Sequence, residues 1–346
     1  MSPQRILITG GAGFIGSNAV LRFVKDGWDV TMFDNFSRKG TEWNLAFLQR
    51  ECGDRLSVVR GDVRSADDIL AACSTPFDAV LHLAAQVAVT TSVHDPRTDF
   101  DVNALGTFNT LEAVRVKSPK AVFLYASTNK VYGGLDHLEV KETPTRFAFA
   151  DGRGGVGEDE PLDFHSPYGC SKGSADQYVR DYARIYGLST IVFRQSCIYG
   201  TRQMGVEDQG WVAWFLLAGL FGKPVTIYGT GKQVRDLLHI DDLVDLYVRA
   251  IERRAEAAGH VFNIGGGAEN TLSLIEFLDF LRSELGMDLA HASAAERPGD
   301  QPIFVSDNTK ALRMLGWSPR MPVRDGLRRL HAWITENRDD LAQFYR

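Results

Sequence analysis

RILITGGAGFIGSNAVLRFVKDGWDVTMFD, residues 5–34, reads as a strand, a glycine turn, a helix and a second strand. RILIT (5–9) is a short apolar run that stops at glycines. FIGSNAVLRFVKD (14–26) spaces its apolar residues as a helix does, and Gly27 stops it. DVTMFD (29–34) returns to strand character. Gly10, Gly13 and Gly16 lie where the first strand passes into the helix. Glycines there allow a tight turn and let main chain approach a pyrophosphate, while the helix start offers N–H groups and partial positive charge to the anion. The spacing is one residue longer than GxGxxG, so the turn is slightly longer. Asp34 ends the second strand 18 residues after Gly16. A carboxylate at that place can accept from both hydroxyls of an adenosine ribose and repels a 2′-phosphate. The reading is NAD, with Arg38 and Lys39 keeping NADP open as an alternative.

Further strand and helix signals alternate outward from this unit. LSVVRGD (56–62), AVLHLAA (79–85), AVFLYAS (121–127) and STIVFRQ (189–195) read as buried strands. Helices are expected near 66–73, 103–117 and 167–186. The alternation predicts an α/β fold, a Rossmann-type doubly wound parallel sheet. After residue 196 the pattern loosens to VTIYGTGKQVRD (225–236), a helix over 241–254, a buried strand at 261–267 and a late helix near 272–285. A smaller C-terminal substrate-binding lobe is therefore expected. The division is 1–195 plus about 233–264 for the NAD-binding domain, and 196–232 plus about 265–346 for the lobe. Residues 133–163 are Gly-rich and charged, a loop long enough to be functional or mobile. The expected cofactor set is Gly10, Gly13, Phe14, Ile15, Gly16, Asp34, Asn35, Ser37, Arg38, Asp62, Val63, Leu83, Ala84, Ala85 and Asn103, joined by Tyr168 and Lys172. Asp62 falls either at the adenine edge or at a helix cap.

Bulk properties narrow the classes. The chain has 346 residues, 44% hydrophobic and 24% charged, with a formal charge of −6. That is an ordinary globular composition, and no basic run points to nucleic acid. The four cysteines have no CxxC or zinc spacing, so reduced thiols in a cytoplasm are the simplest reading. No histidine pattern has ligand spacing, and no metal is expected. WVAWFLLAGLF (211–221) is the longest apolar run. It is shorter than the roughly 20 residues of a membrane span and reads as a buried helix. No signal peptide is expected.

SPYGCSKG, residues 166–173, puts Tyr168 four residues before Lys172. Ser166 can cap a helix and Pro167 suits its first turn, which puts Tyr168 and Lys172 on one face. Alone, such a pair is a solvated face. Beside a dinucleotide it gains a purpose. A free tyrosine, with pKa ~10, is a poor base at neutral pH. A nearby ammonium and a positive nicotinamide both favour phenolate. The phenolate can take a proton from a sugar hydroxyl as hydride leaves the same carbon, and Lys172 can hold the nicotinamide ribose. ASTNKVYG (126–133), at the end of the preceding strand, supplies Ser127 and Thr128 to bind that hydroxyl.

These features resemble the extended short-chain dehydrogenase/reductase family, the NAD-dependent epimerases and dehydratases of nucleotide sugars. The resemblance runs through TGGAGFIG (9–16), Asp34, LHLAA (81–85), the Thr128 segment, Tyr168 and Lys172, VRD (234–236) and RPGD (297–300). It implies Thr128, four residues before Tyr132, as the catalytic hydroxyl. The family's dehydratases use an acid pair beside that threonine; here Asn129 and Lys130 stand there, which disfavours dehydration. PLDFHSPYGCSKG (161–173), ADQYVRDYARIYGL (175–188), DQGWV (208–212) and GKQVRD (231–236) are similar to the CDP-tyvelose (CDP-paratose) 2-epimerase group within it. That similarity implies inversion at C2 of a CDP-activated hexose or deoxyhexose through a transient 2-keto sugar, with NAD regenerated in each cycle. Another NDP-sugar epimerase, a 4,6-dehydratase and a non-catalytic NAD-binding regulator are the alternatives.

The resemblance implies Arg235 and Arg297 at the substrate diphosphate, where guanidinium forks suit phosphate oxygens. Thr226 and Tyr228 are expected near the nucleobase, or as packing residues. His165, Gln86 and Gln209 are weaker sugar contacts. His82 reads as a core histidine. Gln195 and Cys197 stand where the group has His and Ser, which leaves sugar and nucleotide preference open. Relatives pair the helices near 103–117 and 167–186, so a homodimer or homotetramer is expected.

Overall fold

The computed structural model describes residues 3–296 and 300–345. The opening stretch folds as β1 (Arg5–Thr9), the helix Phe14–Lys25 and β2 (Asp29–Asp34). β3 (Leu56–Arg60), β4 (Ala79–His82) and β5 (Val122–Thr128) follow, and then the hairpin β6 (Val140–Glu142) and β7 (Phe147–Phe149). After the helix Ser166–Tyr186 come β8 (Ser189–Gln195) and β9 (Cys197–Tyr199), then β10 (Val225–Tyr228), β11 (Val234–His239) and β12 (Val261–Ile264). β13 (Thr271–Ser273), β14 (His291–Ala294) and β15 (Ile303–Phe304) complete the strands among the described residues.

The main sheet runs in the order β12-β8-β5-β4-β1-β2-β3, with every neighbouring pair parallel. Ile6 faces Val30 on one side and Ala79 on the other, so the order reverses at β1 and β4. A crevice opens beyond the carboxyl ends of the strands at such a reversal. All four residues of β4 are buried, which explains why it reads as a continuous apolar run instead of an alternation. One face of the sheet buries Ile8, Phe23, Leu124 and Phe193; the other buries Leu7, Phe33, Phe123 and Val179. A separate core around Phe215, Phe277, Leu327 and Leu330 fills the C-terminal part. The apolar stretch 211–221 forms the helix Trp211–Leu220, mostly buried, and no helix among the described residues is long and apolar enough to cross a membrane.

Segment 133–163 is more ordered than its composition suggests. It holds β6 and β7, and Phe147 N donates to Lys232 O at 2.9 Å. Val156 bridges to Ser306, and Leu135, Phe149 and Val156 pack with Phe304. Three-residue strands are too short to display a period. β11 lies in the 233–264 stretch expected with the larger domain; it pairs with β9, β13 and β15, which come from the stretches expected in the lobe.

Candidate active site

The crevice at the reversal point is a cavity of about 440 Å³. Its floor is the glycine turn. Gly10, at φ +69°, donates from its N–H to Phe33 O at 2.8 Å, and a Cβ on it would meet Ala84 N at 2.8 Å. A Cβ on Gly16 would collide with the Gly10 carbonyl oxygen. The helix Phe14–Lys25 starts at Gly13 with no side chain capping it and no acid in its first turn. Its N–H groups and dipole are therefore directed at the cavity, a fit for a pyrophosphate. Asp34 fixes the turn from below: its carboxylate accepts from Ala12 N at 3.0 Å and Phe36 N at 2.8 Å. Burial raises its pKa, and those N–H groups and the Arg38 charge oppose the rise. A carboxylate held this way keeps lone pairs for ribose hydroxyls, and the residues present fit NAD.

Of the sequence-derived cofactor set, every member except Asn103 lines this cavity. Asn103 is buried behind it. Its amide donates to Gln86 O (2.9 Å), Asp99 (3.0 Å) and Ser171 (3.2 Å), and its oxygen accepts from Gln86 N (2.9 Å). It braces the wall. Asp62 takes Asn35 and Arg64 as partners and lies well below the usual carboxylate range, about 2, chiefly through Arg64. Ser65 caps the next helix, so Asp62 has no capping role there. Gln86 and Gln209, expected to touch sugar, also line the cavity; Gln209 accepts from Arg38. Sequence reasoning missed Asn44, Arg202, Gln203 and Met204 in the lining. Arg202 lies against the Phe47 and Trp43 rings and donates to Asn44 at 3.3 Å. Burial lowers it to about 10. No local pattern marks these residues, which arrive from loops and helices outside the strand ends.

Tyr168 and Lys172 enter the same cavity from the helix Ser166–Tyr186. Ser166, at φ +63°, accepts from Gly169 N at 3.2 Å and so caps the helix as expected, although the helical span is counted from it. Tyr168 N donates to the Ser92 hydroxyl at 3.1 Å, which satisfies one more free amide of the first turn. Thr128, at the end of β5, stands by the Tyr168 phenol and lowers its pKa. Thr128 lies outside the cavity lining and Ser127 within it, but Ser127 spends its hydroxyl on Asp176 at 2.9 Å.

The electrostatics differ from the expectation of a phenol made acidic by an ammonium. Burial pushes Tyr168 up to about 12, with Thr128 lowering it and Asp99 raising it. Burial also brings Lys172 down to about 7, against the pull of Asp176 and Asp99. Its Nζ donates to Ala126 O at 2.6 Å and sits 4.4 Å from the Tyr125 ring centre. In this protein state desolvation outweighs the cation.

Beneath the pair, His82 is a core histidine, as expected. Its Nδ1 lies 2.7 Å from Thr9 Oγ1 and its Nε2 3.0 Å from Thr107 Oγ1. Thr107 gives its own proton to Asn103 O (2.6 Å), so His82 donates from Nε2 and accepts at Nδ1. Thr9 Oγ1 in turn accepts from Leu83 N (3.2 Å) and Ala84 N (3.3 Å), tying β1 to the end of β4 where the crevice opens. Burial, and the Lys172 charge after it, bring the ring down to about 3.

The expected substrate side is a second group of residues outside the cavity. Arg235 on β11 donates to Asp300 at 2.6 Å. Lys130 Nζ is 3.4 Å from the same oxygen, and Asn129 donates to Gln301 at 3.3 Å. Tyr228 donates to Glu207 at 3.2 Å, Thr226 shares its strand, and His165 pairs with Asp163 at 2.9 Å. Gln195 lines the cavity and donates to the Tyr247 hydroxyl at 2.6 Å; burial pushes the Cys197 thiol up to about 12. Arg297 lies outside the described residues.

Comparison with known proteins agrees with this geometry. Residues 6–265 match the model of the NAD dependent epimerase/dehydratase family. The chain is 44% identical to CDP-paratose 2-epimerase of Salmonella typhi over 96% of its own length and 99% of that protein's. It is similar in structure to UDP-glucose 4-epimerase of Thermotoga maritima with UDP-glucose (31% identity, TM-score 0.81, covering 96% of this chain and 99% of that one). It is also similar to a dTDP-glucose 4,6-dehydratase of Streptomyces venezuelae with NAD bound (29% identity, TM-score 0.81, covering 97% and 98%). By the family match over most of its length, and with its glycine turn, Asp34 and the Tyr168–Lys172 pair in one crevice, the chain belongs to the NAD-dependent epimerase/dehydratase family.

Proposed function

We propose that the protein inverts C2 of a CDP-activated hexose or deoxyhexose, of the CDP-paratose to CDP-tyvelose type. The observation that carries the reading is Tyr168, beside Thr128 and one helical turn from Lys172, in the lining of the cofactor cavity. NAD, when bound, supplies a carbon that accepts hydride and returns it. Thr128 orients the sugar hydroxyl, and Tyr168 takes its proton and later gives one back. Lys172 holds the nicotinamide ribose and lowers the cost of the phenolate. Asn129 and Lys130 stand beside Thr128 without the carboxylic acid that loss of water calls for, which favours epimerisation. The 44% identity to a CDP-paratose 2-epimerase supports C2 and the cytidine nucleotide. Arg235 takes the diphosphate, and the protein works as a homodimer or homotetramer.

NMR on CDP-paratose incubated with the protein in heavy water tests the reading. The expected product is inverted at C2 and keeps its original hydrogen. Deuterium at C2 would mean carbanion chemistry and overturn the hydride route. Turnover confined to a 4-epimer or a dehydrated sugar would overturn the C2 assignment.

A further inference from the structure

We infer that Lys130 is a substrate-positioning residue, which together with Arg235 holds the anionic diphosphate of the nucleotide sugar at the seam between the catalytic turn and the C-terminal lobe. The inference rests on the nucleotide-sugar reading above and adds a residue to it. Lys130 follows Thr128 by two positions, in the one-turn helix Asn129–Tyr132, and its N–H donates to Thr128 Oγ1 at 3.2 Å. Its side chain is thus fixed relative to the reacting end of the site. It reaches across the seam to Asp300, 3.4 Å from Oδ1, where Arg235 Nη2 already donates at 2.6 Å. Two cations from opposite walls converge on one carboxylate oxygen.

The three side chains are mostly covered, at 22%, 14% and 28% exposure for Lys130, Arg235 and Asp300. Two cations that share one carboxylate in a poorly hydrated seam gain from a further anion placed between them. None of the three lines the cofactor cavity, so the cofactor's own pyrophosphate does not account for them. Burial, and the Arg235 charge after it, bring Lys130 down to about 8, and Asp300 opposes that fall. An arriving phosphate would oppose it further and hold the ammonium charged. The neighbouring contact of Asn129 with Gln301, at 3.3 Å, and of Gln301 with Gly133 O, at 2.7 Å, keeps the two walls in register. A diphosphate held there meets both cations within two residues of Thr128, which brings its sugar to the reacting end.

Calorimetric titration of the NAD-loaded protein with CDP and with cytidine tests this. Lys130→Met is expected to weaken CDP about tenfold, the scale of one lost charge-assisted contact, and to leave cytidine binding, NAD content and melting temperature unchanged. Lys130→Arg should bind CDP within about threefold of wild type, since the charge is kept. Wild-type affinity for CDP in Lys130→Met would overturn the inference and leave the nucleotide-sugar reading standing. A wild type that binds no nucleoside diphosphate would overturn both. Chemical labelling of the unsubstituted protein is an independent check. CDP, unlike cytidine, should protect Lys130 from reductive methylation, and equal labelling with the two would overturn the role.

Discussion

On the proposed reading Tyr168 carries the chemistry through one oxygen, so removing that oxygen should cost turnover and little else. Tyr168→Phe is expected to lower kcat by ~10³-fold, within the span of general-base catalysis, while protein-bound NAD, released by denaturation and quantified, stays at wild-type content. His82 makes a separate prediction. Its folded ring is held near 3 against an ordinary 6.5, so on acidification the unfolded chain takes up the proton first. Its contribution to stability is full above pH 6.5 and is lost as the pH falls towards 3. Urea denaturation of wild type and His82→Gln should show a gap that narrows by on the order of 2–3 kcal/mol between pH 7 and pH 4. A gap constant with pH would show the ring to be protonated when folded. At this scale the legible residues were those whose role imposes a backbone demand or a fixed spacing: the glycines, Asp34, Tyr168 and Lys172. Arg202 and Asn44 reach the same cavity from the chain's other parts, and nothing in their local sequence says so.

The helix Ser166–Tyr186 holds Tyr168 and Lys172, the proposed catalytic pair, and is anchored at mid-length. Asp176, fully buried, takes two bonds from Arg194 on β8, at 2.9 and 3.0 Å, and one from Ser127 on β5. Arg194 also donates to the Tyr132 hydroxyl at 2.9 Å. Removing one side of such a pair leaves a buried charge unpaired. Asp176→Ala is expected to cost ~3–5 kcal/mol in urea denaturation and to reduce activity, since the helix sets where Tyr168 sits. A loss below ~1 kcal/mol would mean the pair is solvated in solution. The strands of the main sheet and the helices that follow the first, fourth and fifth of them were readable through apolar runs and helical periods, whereas the helices Thr41–Cys52 and Val323–Glu336 were not read. β9, β13 and β15, with two or three residues each, exist through tertiary pairing and left no such trace. The hairpin in 133–163 escaped notice for the same reason, and its Phe149, with Val156 farther along the segment, is a core residue of a small cluster that spans both walls.

At the scale of the molecule, two packed helices leave apolar side chains in water. Phe108 and Val116 on the helix Gly106–Lys117, and Tyr178, Ile185 and Tyr186 on the helix Ser166–Tyr186, are all exposed, Ile185 at 66%. Phe108 and Tyr178 meet edge to face at 5.9 Å. Exposed apolar side chains on two adjoining helices suit a matching copy. Light scattering should give a dimer or tetramer for wild type and a smaller species for Tyr178→Glu; a wild-type monomer would remove the assembly. Within the chain, β11 is hydrogen-bonded antiparallel to β13 and parallel to β15 and β9. The wall that carries Arg235 is therefore held along both edges and has little freedom to travel during turnover. On the proposed reading an epimerase of this build must locate its swivel in the ligand: the ketose rotates about its own glycosyl–phosphate bonds while the anchor stays still. Stereochemical indifference is then a property of a loose sugar tethered to a stiff mooring.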